Sequence, residues 1–557
     1  MSKDSLVKGT LILTLAALVA RALGVVQRIP LVYLLGDIGM AAYGIAFNLY
    51  SVLLVVATAG IPSALSKMIS ERTALGQHAE ADRIYKAALL FAAAAGILMT
   101  VLLYAGAPYY ARSIANPEAA LPIQAIAPAL LLFPLIAIMR GYFQGRRMMM
   151  PNGMSQIIEQ IFRVATSVLL AYLLLSHSLE YAVAGASFGG VMGSIAAVAV
   201  MLYYAMRLKR SDRKERLAEP AEAFRPAAAE PLLAFKSIYS QLFRLSIPIV
   251  IFSMTVTLIY TIDASIITLL LRDQIGEMEA KEILGILVGR AQSLAGIPII
   301  LAIALSQSIV PIISAAYSQN DIKQVEGQTA RVLQLSILTG LPMVLVICVA
   351  ARPINAFLFG NPSGSSVVET FAAPIIIALT VSAIFQIVMQ TSGAVLMGMG
   401  RMKVLVVGVI AGIAVKLIAS FMLSPLFGIY GIIAATALCF IVMTVISLQS
   451  LRRTVRFRVF GLRRWAGLAA TTTLIVLVGI GLDAVSLSYI QPFGRERWDA
   501  MVQTILIVGV TGAAYPVLLF LTRVMTFQDL QHLPGPLRKL AGPILARLGG
   551  KRRGDQG

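Results

Sequence analysis

Fourteen apolar segments, each long enough to cross a bilayer as a helix, follow one another along this chain of 557 residues. A hydrocarbon core of about 30 Å takes roughly 20 helical residues. Because only 13% of the residues are charged, against about 25% in soluble domains, we expect an all-α polytopic membrane protein. The segments cover residues 8–34, 41–66, 87–108, 121–139, 153–176, 181–206, 241–271, 283–316, 332–351, 367–397, 404–424, 426–449, 465–489 and 500–522.

Basic residues are distributed unevenly between the two sides of such a bundle. With the amino terminus in the cytoplasm, 35 of the 46 Lys and Arg residues fall in cytoplasmic segments and six in external loops. This asymmetry follows the positive-inside rule, so the net charge of +20 indicates membrane orientation and not a nucleic-acid partner. We expect a multi-pass protein with both termini cytoplasmic.

The charged, Ala- and Pro-rich stretch 207–240 separates the first six segments from the rest. Ile61-Pro62 and Gly145-Arg146 recur as Val310-Pro311 and Gly400-Arg401, an offset of about 250 residues. Such a repeat predicts two six-helix lobes in a V around a central cavity, with two extra helices outside. The predicted parts are an amino-terminal lobe at 1–206, a cytoplasmic linker at 207–240, a carboxy-terminal lobe at 241–450, and the extra helices with a basic tail at 451–557.

Two arginines interrupt the first apolar segment, Arg21 near its middle and Arg28 beyond it. Each costs on the order of 2.5–3.5 kcal/mol at such a depth. Positions seven apart lie about 20° apart around a helix, so both face one side, on which Gly24 leaves room. We expect this face to line the cavity. The alternative is that both side chains snorkel to the interfaces or pair with carboxylates on neighbouring helices.

Further ionisable residues lie within later segments. Glu159 and Arg163 are four apart on one helix, and we predict that they form a structural ion pair. Asp263 is expected to pair with Arg28 or Arg290 across the cavity. Even with both carboxylates used, three cations lack a protein partner, so the missing countercharge is assigned to an ion or to the substrate.

Two further polar residues of the segments, Lys416 and Gln386, each allow two interpretations. Lys416 either faces the same cavity or snorkels. Gln386, with Gln390 one turn further on, either hydrogen-bonds a sugar or holds two helices together. Because arginine forks match phosphate oxygens, we expect the substrate to be an amphiphile carrying phosphate or diphosphate. The expected hinge or gating positions are Gly24, Pro62, Pro298 and Pro311.

The sequence argues against an enzyme. It contains no G-x-x-x-x-G-K-[ST] run, so no nucleotide is expected to drive it directly. Its predicted external loops hold no paired carboxylates and no Ser/His/Asp set. The two cysteines, Cys348 and Cys439, lie inside apolar segments, which excludes a disulfide framework and metal-ligand spacing. We expect a transporter without a cofactor or metal, energised by a coupling ion or by the membrane potential.

The chain resembles the oligosaccharidyl-lipid and polysaccharide flippases of the MATE-like (MOP) exporter superfamily, in the branch with the stage V sporulation protein B-like and MurJ-type lipid II flippases. The resemblance covers the whole fourteen-helix layout. It is carried by ARALGVVQRIP at 20–30, RGYFQGRRMMMPN at 140–152, SQIIEQIFRV at 155–164 and GRAQSLAGIP at 289–298.

The resemblance implies that Arg21 and Arg290 hold a lipid diphosphate. The family's second helix-one arginine falls on Gln27 in strict register, with Arg28 beside it. Two departures, the absence of arginine in VLLVVATAG and Gly289 before Arg290, favour the sporulation-protein-like branch.

The implied function is export of an undecaprenyl-diphosphate-linked saccharide, such as a lipid II-like cell-wall precursor, across a bacterial plasma membrane. The expected partners are this substrate, membrane lipids and cell-wall synthesis enzymes. The alternatives are a teichoic acid or exopolysaccharide repeat-unit flippase, a MATE-type drug or cation antiporter, and a scaffold for cell-wall enzymes. A cation exporter should place carboxylates in the cavity.

Overall fold

The computed structural model describes residues 6–58, 60–74, 77–146, 148–218, 235–489, 494 and 496–525. Nearly all of them are helical, and no strand occurs in these ranges. The first half contains α1 (Leu6–Thr58), α2 (Ile61–Ala74), α3 (His78–Ser113), a 3₁₀ turn (Pro117–Ala119), α4 (Ala120–Ile126), α5 (Ala129–Gly145), α6 (Met150–Leu174) and α7 (Leu179–Ala218).

The second half of the bundle begins at Phe235. It contains α8 (Phe235–Ser253), α9 (Thr255–Ile275), α10 (Glu277–Gly285), a π-helical turn (Ile286–Ala291), α11 (Gln292–Ser318), α12 (Ile322–Val349), α13 (Ala351–Leu358), α14 (Ser366–Gly398), α15 (Met402–Phe427) and α16 (Ile429–Arg452), and is followed by α17 (Leu462–Tyr489) and α18 (Glu496–Leu521).

Helix α1 is 53 residues long. A straight helix of this length would reach about 80 Å, far more than a bilayer core. It is bent at Gly36, which has φ 64° and ψ −179°, a conformation that side chains disfavour. Two of the predicted segments, 8–34 and 41–66, therefore form one kinked helix, with Asp37 directly after the bend.

Twelve helices in the described ranges are long and apolar enough to span a membrane, or thirteen if Pro117–Ile126 and Ala129–Gly145, bent by 41°, form one span. Every predicted segment overlaps at least one of the helices, and the first candidate span, Leu15–Thr58, covers most of two segments. The predicted all-α polytopic fold is confirmed. Three segments are wrong in detail because each crosses a break between helices. Segment 41–66 crosses from α1 to α2, segment 121–139 crosses the turn at residues 127–128 between α4 and α5, and segment 241–271 crosses the break at Met254 between α8 and α9.

The described helices pack in two groups. Helices α6 and α7 pack on each other and on α1, whereas α11, α14, α15 and α16 form the centre of the second group. Helices α17 and α18 contact α12 and α13 at the outside. Helix α7 continues to Ala218, into the predicted linker at 207–240, while residues 219–234 and the predicted basic tail from 526 onward lie outside the described residues.

The bundle has two ends, which we name by their loops. The basic end carries the loops rich in Lys and Arg, such as 453–461, and the opposite end carries the bend of α1 and the π-helical turn. At the opposite end the two groups approach closely: a Cβ at Gly285 would lie 1.7 Å from the backbone carbonyl oxygen of Asp37, and one at Gly44 would lie 2.2 Å from the side-chain Cγ1 of Val288. Glycine at both positions permits this close approach.

Candidate functional site: an arginine-lined cavity

A cavity of about 380 Å³ lies between the two groups of helices. Helices α1 and α6 form one wall, and α9, α11 and α14 form the other. Among the described residues no Asp or Glu lines this cavity. Its polar lining consists of Arg21, Gln27, Arg28, Tyr43, Gln160, Arg163, Tyr260, Gln292, Ser293 and Gln386.

Arg21 and Arg28 both line the cavity, as their spacing predicts. The Nη1 of Arg28 donates to the carbonyl oxygen of Val288 in the π-helical turn, and its guanidinium lies 5.7 Å from the ring centroid of Phe47. Arg21 forms no hydrogen bond or ion pair with the described part of the chain. Gly24 lies on the same face, where an added Cβ would be 3.4 Å from Gln160 Nε2.

Arg163 of α6 adds a third guanidinium. It donates to Glu159 Oε1 at 2.7 Å, so the predicted ion pair is present. The other oxygen of Glu159 accepts from Arg140 Nη2 at 2.9 Å. One carboxylate is therefore shared by two guanidinium groups, and the cluster keeps a positive charge. The pairing of residues four apart was visible in the sequence, but the contact with Arg140 and the exposure of Arg163 to the cavity were not.

Arg290 is not among the cavity-lining residues. Its side chain is fully buried in the π-helical turn, where Nε and Nη2 donate to Asp37 at 2.8 and 2.6 Å. Its Nη1 donates to Asn355 Oδ1 at 3.1 Å and to the carbonyl oxygen of Gly360 at 2.6 Å. Arg290 was expected to bind the lipid diphosphate because of the family resemblance. Asp37, which falls between two apolar segments, was not counted as its partner.

Asp263 and Lys416 pair with each other within the second group. The Lys416 ammonium donates to Asp263, to the carbonyl oxygen of Ile432 at 3.1 Å and to Thr436 Oγ1 at 2.6 Å. The expectation that Asp263 pairs with Arg28 or Arg290 is wrong, because α15 brings an ammonium closer than either arginine. Neither residue lines the cavity, and Lys416, which is fully buried, does not snorkel.

Amide side chains complete the wall formed by α11 and α14. Tyr260 donates its hydroxyl to Gln386 Oε1 at 3.3 Å, and both residues line the cavity. Gln292 Nε2 is buried without a hydrogen-bond acceptor in the described residues. Of the remaining predicted hinge positions, Pro298 and Pro311 lie inside α11, and Pro62 lies in the first turn of α2.

The ion pairs leave the cavity positively charged. Glu159 is shared by Arg140 and Arg163, so the charges of Arg21 and Arg28 and part of that of Arg163 face the cavity without a carboxylate in its described lining. Like charges held together in such a space favour binding of an anion. Guanidinium forks from two neighbouring helices of one wall fit oxygen-rich anions such as phosphates.

Comparison with known proteins agrees with this geometry. Residues 6–317 match the family described as polysaccharide biosynthesis protein. Three relatives from Bacillus subtilis (strain 168) align over nearly the whole chain: the uncharacterized membrane protein YabM at 28% identity (95% of this chain, 94% of the relative), the lipid II flippase MurJ at 26% (96% and 99%), and stage V sporulation protein B at 26% (96% and 98%).

Solved structures show the same fold. A multidrug resistance MATE transporter of the MOP superfamily in an inward-facing conformation gives a TM-score of 0.63 at 14% identity, covering 78% of this chain and 97% of that one. Lipid II flippase MurJ in an inward closed conformation gives 0.62 at 14%, covering 91% and 98%. Among these proteins MurJ is named a flippase and the MATE protein a transporter, which agrees with the expectation that the chain is not an enzyme. The chain therefore belongs to the polysaccharide biosynthesis protein family and has the fold of the MOP exporter superfamily.

Proposed function

We propose that this protein moves a lipid-linked saccharide, attached through a diphosphate, from the cytoplasmic to the outer leaflet of a bacterial plasma membrane by alternating access. The observation that carries the proposal is the cavity lined by Arg21, Arg28 and Arg163 and by no carboxylate of the described residues. A diphosphate supplies negative charge where the protein leaves positive charge unpaired. Membership of the family and the relatives' names support a saccharide-bearing substrate.

The finer substrate in this proposal is an undecaprenyl-diphosphate-linked cell-wall precursor of the lipid II type. Arg21, Arg28 and Arg163 all lie on the wall formed by α1 and α6, two on the first helix and one on the second, so the two phosphate groups of such a lipid can be bound by separate forks. Gln292 and Gln386 offer amide groups to a sugar on the facing wall. A teichoic acid or exopolysaccharide repeat unit with the same diphosphate would use the same residues.

Two contacts close the opposite end of the cavity, the Asp37–Arg290 ion pair and the bond from Arg28 to the carbonyl oxygen of Val288. Arg28 thus belongs both to the cavity lining and to the closure. A phosphate that binds Arg28 competes with Val288 for its donors and weakens the closure. In this mechanism substrate occupancy itself permits the opposite end to open, with the basic end facing the cytoplasm.

No nucleotide is needed to energise such a cycle. An inside-negative potential favours outward movement of negative charge by about 2.3 kcal/mol per charge per 100 mV. The polyprenyl chain stays in the bilayer while the two groups of helices rock about the bound headgroup. A coupling ion would add to this driving force.

The rival function is a drug or cation antiporter of the same fold. Removal of one cavity arginine distinguishes the two, because it weakens binding of an anionic lipid and strengthens binding of an organic cation. Loss of one bidentate charge-assisted pair corresponds to about 1.5–3 kcal/mol, or roughly 10- to 150-fold in Kd.

The experiment compares the purified protein with Arg21→Gln and with Arg112→Gln, which removes an exposed arginine outside the cavity. We expect a polyprenyl-diphosphate saccharide to bind Arg21→Gln at least tenfold more weakly and to bind Arg112→Gln as tightly as the parent. Tighter binding of a lipophilic cation by Arg21→Gln, with unchanged binding of the diphosphate lipid, would support the antiporter and contradict the flippase.

A further inference from the structure

A second and larger cavity, of about 750 Å³, lies at the basic end. It is bounded by α12, α14, α16 and α17 and by the segment 453–461, and it shares no lining residue with the arginine-lined cavity. Its interior is apolar. The walls there are formed by Leu333, Ile337, Val388 and Leu448.

Three arginines surround this apolar space. Arg452, Arg456 and Arg458 all line the cavity and are all exposed. None of their guanidinium groups pairs with a carboxylate in the described ranges, since Glu326 accepts a hydrogen bond only from the backbone N–H of Arg456, at 2.8 Å. The cavity therefore has an apolar interior and a positively charged rim, and no carboxylate of the described residues neutralises that rim.

An aromatic pair places this site at the boundary between bilayer and water. Trp465 packs edge-on against Phe460, with ring centroids 5.2 Å apart, and both line the cavity. Tryptophan is enriched at membrane interfaces, where its ring is partly in lipid. The neighbouring Leu462 is 88% exposed, as expected of a side chain that contacts lipid.

We propose that this cavity binds an anionic phospholipid, with the phosphodiester against the three arginines and an acyl chain in the apolar interior. Basic pockets between transmembrane helices bind lipid headgroups in this way. A soluble phosphate would leave the apolar walls unused, and a zwitterionic lipid would leave the arginines without a counterion. The segment 526–557 is a poor occupant because it carries six Lys and Arg against two Asp.

This lipid would act as a structural partner. Helix α17 contacts α12, and both helices line the cavity together with α16, so an acyl chain in it fills the space between the added helices and the second group. Its role is independent of the transported substrate. Loss of the lipid should leave the arginine-lined cavity intact.

Tryptophan fluorescence provides a direct test, since the chain contains only two tryptophans. The Trp498→Phe variant leaves Trp465 at the cavity as the sole tryptophan, which is excited selectively over the tyrosines. The variant is reconstituted in phosphatidylcholine, and a small fraction of brominated phosphatidylglycerol or brominated phosphatidylcholine is added as quencher. Each arginine should favour the anionic lipid by about fivefold, so we expect an apparent preference of about 10- to 100-fold.

Two charge-matched variants in the same background locate the effect. Arg452→Gln/Arg456→Gln/Arg458→Gln should abolish the preference. Lys403→Gln/Arg453→Gln/Arg463→Gln removes three exposed cations at the same end that do not line the cavity, and it should retain the preference. Both triple variants must elute from a size-exclusion column at the same volume as the Trp498→Phe protein and must have the same melting temperature.

Three results would overturn the proposal. Equal quenching by the two brominated lipids in the Trp498→Phe background would show that the site does not select charge. Equal loss of preference in both charge variants would show a general surface effect. Displacement of brominated phosphatidylglycerol by a polyprenyl diphosphate at a lower mole fraction than by unlabelled phosphatidylglycerol would assign the site to the transported lipid.

Discussion

Replacing Asp37 by Asn should open the end of the cavity that the Asp37–Arg290 pair closes. Both side chains are almost fully buried, and Asp37 accepts two of the donors of Arg290. The substitution is nearly isosteric, so it removes charge without leaving a void. The guanidinium then remains buried without a counterion.

The free-energy cost of Asp37→Asn follows from the hydrogen bonds that Arg290 keeps. Removing one partner of a buried pair costs about 3–5 kcal/mol. Arg290 retains its bonds to Asn355 Oδ1 and to the carbonyl oxygen of Gly360, so we take the lower end. Because the pair joins α1 to the π-helical turn only while this end is closed, the loss falls on the closed state. A cost of about 3 kcal/mol multiplies the open-to-closed ratio by about 150.

Distance measurement between two spin labels reports this ratio. In a background with Cys348→Ser and Cys439→Ala, labels are attached at Ser113→Cys, at the last residue of α3, and at Ser363→Cys, before α14. Both positions are exposed and lie on different groups of helices. We expect a longer-distance population to appear or to become dominant with Asp37→Asn. The parent should retain the short distance.

The matched control is Asp263→Asn, which also removes a buried aspartate from an ion pair. Asp263 and Lys416 belong to the same group of helices, so this variant should lose stability without opening the cavity. A distance distribution that is unchanged in Asp37→Asn would refute the assignment of the pair as a closure. So would the same broadening in both variants.

Two further predictions concern stability. Lys416→Met leaves Asp263 buried and unpaired, which should lower the free energy of unfolding by about 3–5 kcal/mol and the melting temperature in detergent, whereas the double change Asp263→Asn/Lys416→Met should recover much of the loss. Gly285→Ala places a methyl group against the backbone of Asp37 and should lower the melting temperature by several degrees, while Gly509→Ala, where no atom lies within 4 Å, should not.

The sequence predicted those features that depend on neighbours along one helix. Apolar length indicated the helices, the seven-residue spacing placed Arg21 and Arg28 on one face, and the four-residue spacing predicted the Glu159–Arg163 pair. Each of these follows from the geometry of a single helix.

Ion pairs between helices that are distant in sequence could not be predicted in this way. Asp37 and Arg290 are 253 residues apart, and Asp263 and Lys416 are 153 apart. Helical periodicity tells which way a side chain faces but not which helix packs there. One signal was present: only six residues separate the segments 8–34 and 41–66, so Asp37 had little room to lie in a loop.

Translocation of a polyprenyl-diphosphate saccharide across vesicles containing the protein tests the central claim most directly. The claim is that Arg21 and its neighbours bind the diphosphate and that its charge crosses the membrane potential. We predict that an inside-negative potential accelerates outward transport, by at most about 50-fold per charge per 100 mV. Arg21→Lys should be slower than the parent because the bidentate fork is lost at equal charge. A transport rate that does not change with the membrane potential, together with an Arg21→Lys variant as active as the parent, would contradict the account.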